Sequence, residues 1–290
     1  MLENFKALRN LKKNKSLTGF TLIEVLLVIS IIGLLSSIVL VAASSARDKA
    51  KRAAGLHFEA QVYHAVGAYA VGMWNFDNNL NDSSGNNNTG TCTSCPGYVQ
   101  DTPSGTGYAL SFNGSNNYVD CGNTTSLNPA TALTMATWIK STGNTESDGR
   151  IISKRDASGA YEILLITASG RIEVYILTPG GGTSVDSLSS VQDGKYHFIA
   201  VTRNETNLKI YIDGKLDNTG VVTSGSVANS ANLIIGRYSL SPMRFFNGLI
   251  DEVRVYAEAL SSAQIQKLYA EEAGERGLIV GVIHESAARE

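Results

Sequence analysis

The chain lacks an excess of charge of either sign: 24 Lys plus Arg face 26 Asp plus Glu, a net of −2 over 290 residues. That excludes a general basic field drawing the protein to nucleic acid, and no nucleic-acid partner is expected. Charge is scarce altogether, 17% against 43% apolar residues, so the chain can bury a substantial core in one or two domains and is not disordered. Long apolar runs are nearly absent as well. Only one occurs, which excludes a multi-span membrane protein. Cysteine is limited to Cys92, Cys95 and Cys121, an odd count. There is no G-x-S-x-G elbow for nucleophilic catalysis, and no spacing of about 30 residues that a βαβ unit would need.

What charge there is sits unevenly. Residues 1–19 carry +4 and residues 20–55 carry +2, so the rest of the chain carries −8. Between them Phe20 to Ala43 runs 24 residues with one charged group, enough at about 1.5 Å per residue to cross a hydrocarbon core of roughly 30 Å. A secretory signal peptide needs an apolar region of only about 7 to 15 residues, so this run reads as a membrane-spanning helix. Glu24 is its anomaly, because a carboxylate there costs about 2.5 kcal/mol or more unless neutralised. If the chain were cut between Gly19 and Phe20, the new α-ammonium would stand one helical turn from Glu24, on the same or a neighbouring chain.

The stretch KSLTGFTLIEVLLVISIIG, Lys15 to Gly33, resembles the class III signal of type IV prepilins and pseudopilins: a basic leader ending in Gly, then Phe, a Glu four residues on, and an apolar helix. The resemblance implies that a prepilin peptidase cuts after Gly19 and methylates the amine of Phe20. It also implies that Glu24 pairs with the amine of a neighbouring pilin subunit during filament assembly. Val41 stands where many major pilins carry Pro, so the helix is expected to be unbroken. Arg47, Lys49, Lys51 and Arg52 compete with the leader under the positive-inside rule, and orientation rests on the pilin resemblance. Past the span, Leu56, Val62, Ala65, Val66 and Tyr69 recur at helical spacing, which predicts one helix over 20–71. His57 and His64 share one face of it as packing or solvated residues, with no third ligand in view.

From Trp74 onward the pattern changes to short alternating runs between Gly, Asn and Asp turns: LTMATWIK, YEILLIT, RIEVYIL, YHFIAVTR, LKIYIDG, ANLIIG and IDEVRVY. Gly numbers 28, above the usual share of about 7%. This predicts an all-β antiparallel sandwich with one face of each sheet buried. The order of GYALSFNGSNNYVDCG, LTMATWIK, DGKYHFIAVTR, LKIYIDGKL and NGLIDEVRVYAEALSSAQIQKLY resembles the laminin-G-like, concanavalin-A-like jelly-roll family. That resemblance implies two curved sheets whose concave face or loops bind carbohydrate or protein, often with calcium. The expected division is a leader over 1–19, a membrane and assembly helix over 20–71, the sandwich over 72–277 with a short C-terminal helix, and a tail over 278–290.

In IDEVRVY, Asp251 alternates in phase with Leu249, Val253 and Val255, an inward position where an unpaired carboxylate is costly. One remedy is calcium held by backbone carbonyls and Asp77; the other is satisfaction by backbone N–H groups or an Arg. The segment after Asp77 is not an EF-hand, since Asp82 and Asn88 stand where Gly and Glu are required. On an exported protein CTSC reads as a Cys92–Cys95 disulfide with Cys121 buried, a bridge from either to Cys121 being the alternative. Concanavalin-like glycoside hydrolases use paired carboxylates, but Glu146 and Asp148 give only E-x-D, and His197 reads as a sheet residue, so no enzyme is expected. The expectation is a minor or tip pilin-like subunit, a single-pass precursor in the cytoplasmic membrane with its bulk outside. It would be handed to pilus or secretion machinery, with its sandwich bound to a glycan or surface protein. A membrane-anchored lectin that does not assemble is the alternative.

Overall fold

The computed structural model of the chain describes residues 21–33, 70–141, 143, 148–166, 168–240 and 244–273. Two compact units divide the chain, Met1–Gln61 and Val62–Glu290. In the first, helix α1 covers residues 22–33. Thr21 and Glu24 start it with a reciprocal cap: Glu24 N–H donates to Thr21 Oγ1 at 3.3 Å, while Thr21 N–H and Oγ1 donate to Glu24 Oε2 at 2.8 and 2.9 Å. Among the described residues no helix is long and apolar enough to cross a membrane. The leader, Gly19, Phe20, His57, His64, the expected helix over 34–69 and the tail over 278–290 lie outside the described residues.

The second unit is a sandwich of two antiparallel sheets. The larger runs in the order β12 (Lys215–Val221), β11 (Asn207–Ile212), β10 (Tyr196–Asn204), β5 (Ala132–Lys140), β14 (Asn247–Tyr256), β3 (Ala109–Asn113) and β2 (Gly97–Val99). An eighth strand, β1 (Ala70–Trp74), pairs with the second half of β14. The smaller sheet runs β4 (Val119–Asp120), β13 (Ile234–Ile235), β6 (Gly149–Arg155), β7 (Ala160–Ile166), β8 (Arg171–Thr178) and β9 (Gly181–Ser190). Because β1 opens at Ala70, the last two positions of the expected helix over 20–71 are strand.

Period-two alternation fills the space between the sheets with Met135, Ile139, Ile199 and Val201 from one side and Tyr161, Ile163, Val174 and Ile176 from the other. The expectation of one buried face per sheet fails on the larger one, where Ala136, Trp138, Phe198, Ala200 and Tyr211 are buried on the opposite side. Helix α2 (Ser262–Glu272) covers them with Ile265 and Leu268, each burial contributing about 1.5–3 kcal/mol. Ser261 and Gln264 form its capping box.

Candidate functional site

The outer face of the six-stranded sheet, turned away from the core, carries a row of residues that is polar on every strand but β13. Strand register sets Asp120 opposite Ile234, Ile234 opposite Ser153, Ser153 opposite Glu162, Glu162 opposite Tyr175 and Tyr175 opposite Ser184, one residue from each of six strands. Directly paired residues share a face, so the row is contiguous. Arg155, two residues after Ser153, and Glu173, two before Tyr175, belong to the same face. A Cβ on Gly182 would come within 2.1 Å of Tyr175 Oη, so only glycine leaves that ring its place.

Arginine and tyrosine organise this face. The Arg155 guanidinium stacks 4.4 Å from the centre of the Tyr175 ring, lies 5.8 Å from Tyr238, and pairs with Glu162 at 3.3 Å. Arg150 lies over the other partner, 4.7 Å from the centre of the Tyr238 ring. Glu162 is fully buried and accepts from Ser153 Oγ at 2.5 Å. Tyr238 arrives on the segment after β13, which Ser239 fastens to the sheet by donating from N to Ser153 Oγ and from Oγ to the Arg155 carbonyl, both at 3.1 Å. Glu173 accepts from Ser184 Oγ at 2.7 Å. Tyr175, Arg155 and Tyr238 are half-buried and Ser184 is exposed, whereas Ile234, Ser153 and Glu162 are buried, so a ligand can reach the face at its Tyr175–Ser184 end.

The expected site residues lie elsewhere. Asp251 is buried, but a β-bulge between it and Arg254, with Glu252 at φ +49°, breaks the alternation. Ile250, Val253 and Val255 point into the core, whereas Asp251 pairs with Trp138 on the α2 side, which corrects the expected inward position in phase with Val253 and Val255. Burial, with Glu252 adding to it, pushes the Asp251 carboxyl up to about 8. Its Oδ1 accepts Glu252 N–H at 2.9 Å, and Asp77 Oδ1, on an exposed loop, accepts Tyr108 N–H at 3.1 Å. The Asp77 charge adds to the rise at Asp251, and Asn75, two residues before Asp77, has a buried Oδ1 with no hydrogen-bond partner. An oxygen-only donor set suits calcium. Among the described residues, however, no group of three or more His, Cys, Asp or Glu side chains is arranged to hold a metal ion.

Cys92 and Cys95 form the disulfide, and Cys121 is a buried thiol raised well above its usual range by burial. Glu146 lies outside the described residues, and Asp148 is 3.8 Å from Arg244. His197 sits between two carboxylates at the start of β10. None of these residues joins the Arg155–Tyr175 face. That face went unread in the sequence, although YEILLIT and RIEVYIL expose Glu162, Glu173 and Tyr175 as the polar alternates of apolar strands.

A family described as the concanavalin A-like lectin/glucanases superfamily (Laminin_G_3) matches residues 113–266, more than half of the sequence. The chain belongs to this superfamily. Residues 15–40 match the prokaryotic N-terminal methylation motif, so this superfamily member also carries the type IV pilin signal. A curated relative from Rattus norvegicus, "Sushi, von Willebrand factor type A, EGF and pentraxin domain-containing protein 1", is 26% identical over 147 residues, 47% of this chain. The chain spans only 4% of that protein's length. Among solved structures it is similar to the binding domain of Paraclostridial Mosquitocidal Protein 1, with TM-score 0.60, 15% identity and coverage of 71% of this chain and 52% of that one. It is also similar to domain 4 of AbnA, an extracellular GH43 arabinanase of Geobacillus stearothermophilus solved with arabinotriose, at TM-score 0.57 and 21% identity, covering 70% of this chain and 98% of that one. The botulinum neurotoxin serotype D binding domain aligns at TM-score 0.56 and 16% identity, over 71% and 51% of the two chains. At these identities the likeness is one of fold.

Proposed function

We propose that this concanavalin-like chain is a minor or tip type IV pilin-like subunit that displays a saccharide-recognition face outside the cytoplasmic membrane. The observation that carries the recognition role is the stack of Arg155 on the half-exposed Tyr175 ring, braced by Glu162 and Tyr238 on an open sheet face. Aromatic rings take the apolar faces of sugars, and guanidinium, carboxylate and hydroxyl groups match their hydroxyls. A domain of the same fold solved with arabinotriose supports saccharides as the ligand class. Glu162 is fully buried in an ion pair and Glu173 is hydrogen-bonded to Ser184, an arrangement for holding a ligand and not for general acid and base chemistry.

The N-terminal methylation motif supports processing by a prepilin peptidase, with cleavage after Gly19, methylation of Phe20 and a membrane-anchored precursor exported to the surface. In filaments Glu24 would leave its cap on Thr21 for the Phe20 amine of a neighbouring subunit. The working division is a leader over 1–19, an assembly helix that ends before β1, and the sandwich from Ala70, with residues 278–290 as a tail. Calcium, where bound, would be held by Asp251 and Asp77 and would offset the buried carboxylate's charge.

Two measurements test this. The intact mass of the protein sheared from its native cells is expected to lack residues 1–19 and to carry one added methyl, with Glu24→Ala absent from the sheared fraction. A Glu24→Ala chain that still enters filaments ends the pairing mechanism, and a full-length chain retained in the membrane makes it an anchored lectin. Tyr175→Ala is expected to abolish saccharide binding by the full chain in detergent; unchanged binding removes the sheet face as the site.

A further inference from the structure

Buried cations elsewhere in this sandwich are surrounded by oxygen. Arg203, fully buried, donates to the carbonyls of Ala130, Thr131, Thr223 and Gly225 at 2.8–3.5 Å. Lys154 Nζ, also fully buried, donates to Asn123 Oδ1, to both the carbonyl and Oδ1 of Asn229, and to the Ala231 carbonyl at 2.6–3.2 Å. Arg150 is the exception. It is 8% exposed, yet among the described residues its guanidinium makes one hydrogen bond, a 3.3 Å contact from Nη1 to the Asp148 carbonyl; its buried Nε has no partner, which is equally true of Arg203 Nε. Glu162, the nearest buried carboxylate on the face, is committed to Arg155, and among the described residues no carboxylate forms an ion pair with Arg150.

A guanidinium this deep with one hydrogen bond and, among the described residues, no ion-paired carboxylate is costly, as is the loss of one partner from a buried pair in other proteins. The aromatic face of Tyr238 contributes attraction but no hydrogen-bond acceptor for Nε–H. Burial draws the Arg150 guanidinium below its ordinary value, and the charges of Glu162 and Glu173 offset this only in part. Arg150, Tyr238, Arg155 and Tyr175 follow one another, which places this sparsely hydrogen-bonded cation two groups away from the Tyr175 ring.

We propose that the saccharide recognised by this face is acidic, and that its carboxylate or sulfate group pairs with Arg150, seated between Arg150 and Arg155 on the edge of Tyr238. The inference rests on the recognition role proposed for the Arg155–Tyr175 face and specifies its ligand. Charge-assisted, forked contacts to guanidinium are the strong class of hydrogen bond, so an anionic sugar gains at this position what a neutral hydroxyl does not.

The test is calorimetric titration of the full chain in detergent micelles with tetragalacturonate, a sulfated tetrasaccharide and neutral galactotetraose. Either acidic probe is expected to bind at least about tenfold more tightly than the neutral one. Arg150→Gln should abolish that preference, and Arg150→Lys should retain part of it. The two acidic probes distinguish carboxylate from sulfate. Equal affinity for acidic and neutral probes, or an unchanged ratio in Arg150→Gln, overturns the inference while leaving a sugar-binding face in place. No binding of any saccharide, or binding indifferent to Tyr175→Ala, overturns the recognition role itself. Should Arg150→Gln fail to fold, the wild-type ratio still decides.

Discussion

Trp138 Nε1 donates to Glu272 Oε2 at 2.8 Å, joining the middle of β5 to the last residue of α2. Glu272 Oε1 also lies 2.7 Å from Arg254, and Tyr269 stacks on the Trp138 ring with centroids 5.5 Å apart. The helix therefore closes the outer face of the larger sheet through one buried carboxylate as well as through Ile265 and Leu268. Glu272→Ala leaves both a buried guanidinium and an indole N–H short of a partner, an expected cost of about 3–5 kcal/mol. Glu272→Gln, which can still accept from Trp138, should cost less. Thermal unfolding midpoints check this; an alanine variant as stable as wild type would mean that apolar packing alone holds the helix.

His197 ties the entry and exit of a hairpin together. Its Nδ1 is 2.9 Å from Asp213 Oδ2 and its Nε2 is 3.1 Å from Asp193 Oδ1. The Asp213 hydrogen bond leads in raising its pKa above the usual histidine value. The unfolded state binds fewer protons at this site near neutrality, so its stabilisation is complete below about pH 6.5 and is lost as pH rises through the higher folded value. His197→Gln is expected to flatten the pH profile of the unfolding midpoint in that window. A profile unchanged by the substitution would place the pH dependence elsewhere.

Asp251 makes the opposite demand. A carboxyl raised to about 8 in the folded state is fully accommodated below its unfolded value, and stability falls as pH rises towards 8, because folding then buries a charge. Asp251→Asn should raise the unfolding midpoint at about pH 9 and leave it nearly unchanged at about pH 4. Calcium held by Asp251 and Asp77 predicts a second effect: added calcium stabilises wild type at the higher pH, EDTA reverses it, and Asp251→Asn responds to neither. Identical wild-type midpoints in calcium and EDTA would eliminate the metal.

Thr21 accepts from Glu24 N–H while donating to the Glu24 carboxylate. Thr21→Ala removes the side-chain half of this cap at a cost of about 1 kcal/mol. Amide exchange in the first turn of α1 is expected to quicken about fivefold. Thr21→Ser should exchange like wild type, and a loss of protection in both would trace the effect to the threonine methyl.

Strands with apolar alternation were legible because each is decided locally. LTMATWIK became β5, YEILLIT became β7, RIEVYIL became β8 and ANLIIG holds β13. Strand β9, GGTSVDSLSS, has little apolar signal because as an edge strand it buries little. Asp251 was assigned to the wrong face because period two holds only while the ladder is regular, and the bulge at Glu252 is set by pairing with β5, more than a hundred residues away in sequence. The Arg155–Tyr175 face was out of reach for the same reason. Arg155 meets Tyr238, and Ser153 meets Ser239, only after β13 has docked beside β6. The Cys92–Cys95 bridge, by contrast, spans three positions and was legible from spacing.

The row from Asp120 to Ser184 crosses all six strands of the smaller sheet, and neighbouring strands lie about 4.8 Å apart. Five such steps make a track about 24 Å long that runs across the strands, not along them. A monosaccharide occupies only a fraction of it. Ile234, Ser153 and Glu162 in the middle of the row are buried, so the part of it a ligand could touch is Tyr175 and Ser184, on the last two strands of the sheet. A filament carrying such a subunit would meet its ligand at the edge of the sheet, over two strands and not over six.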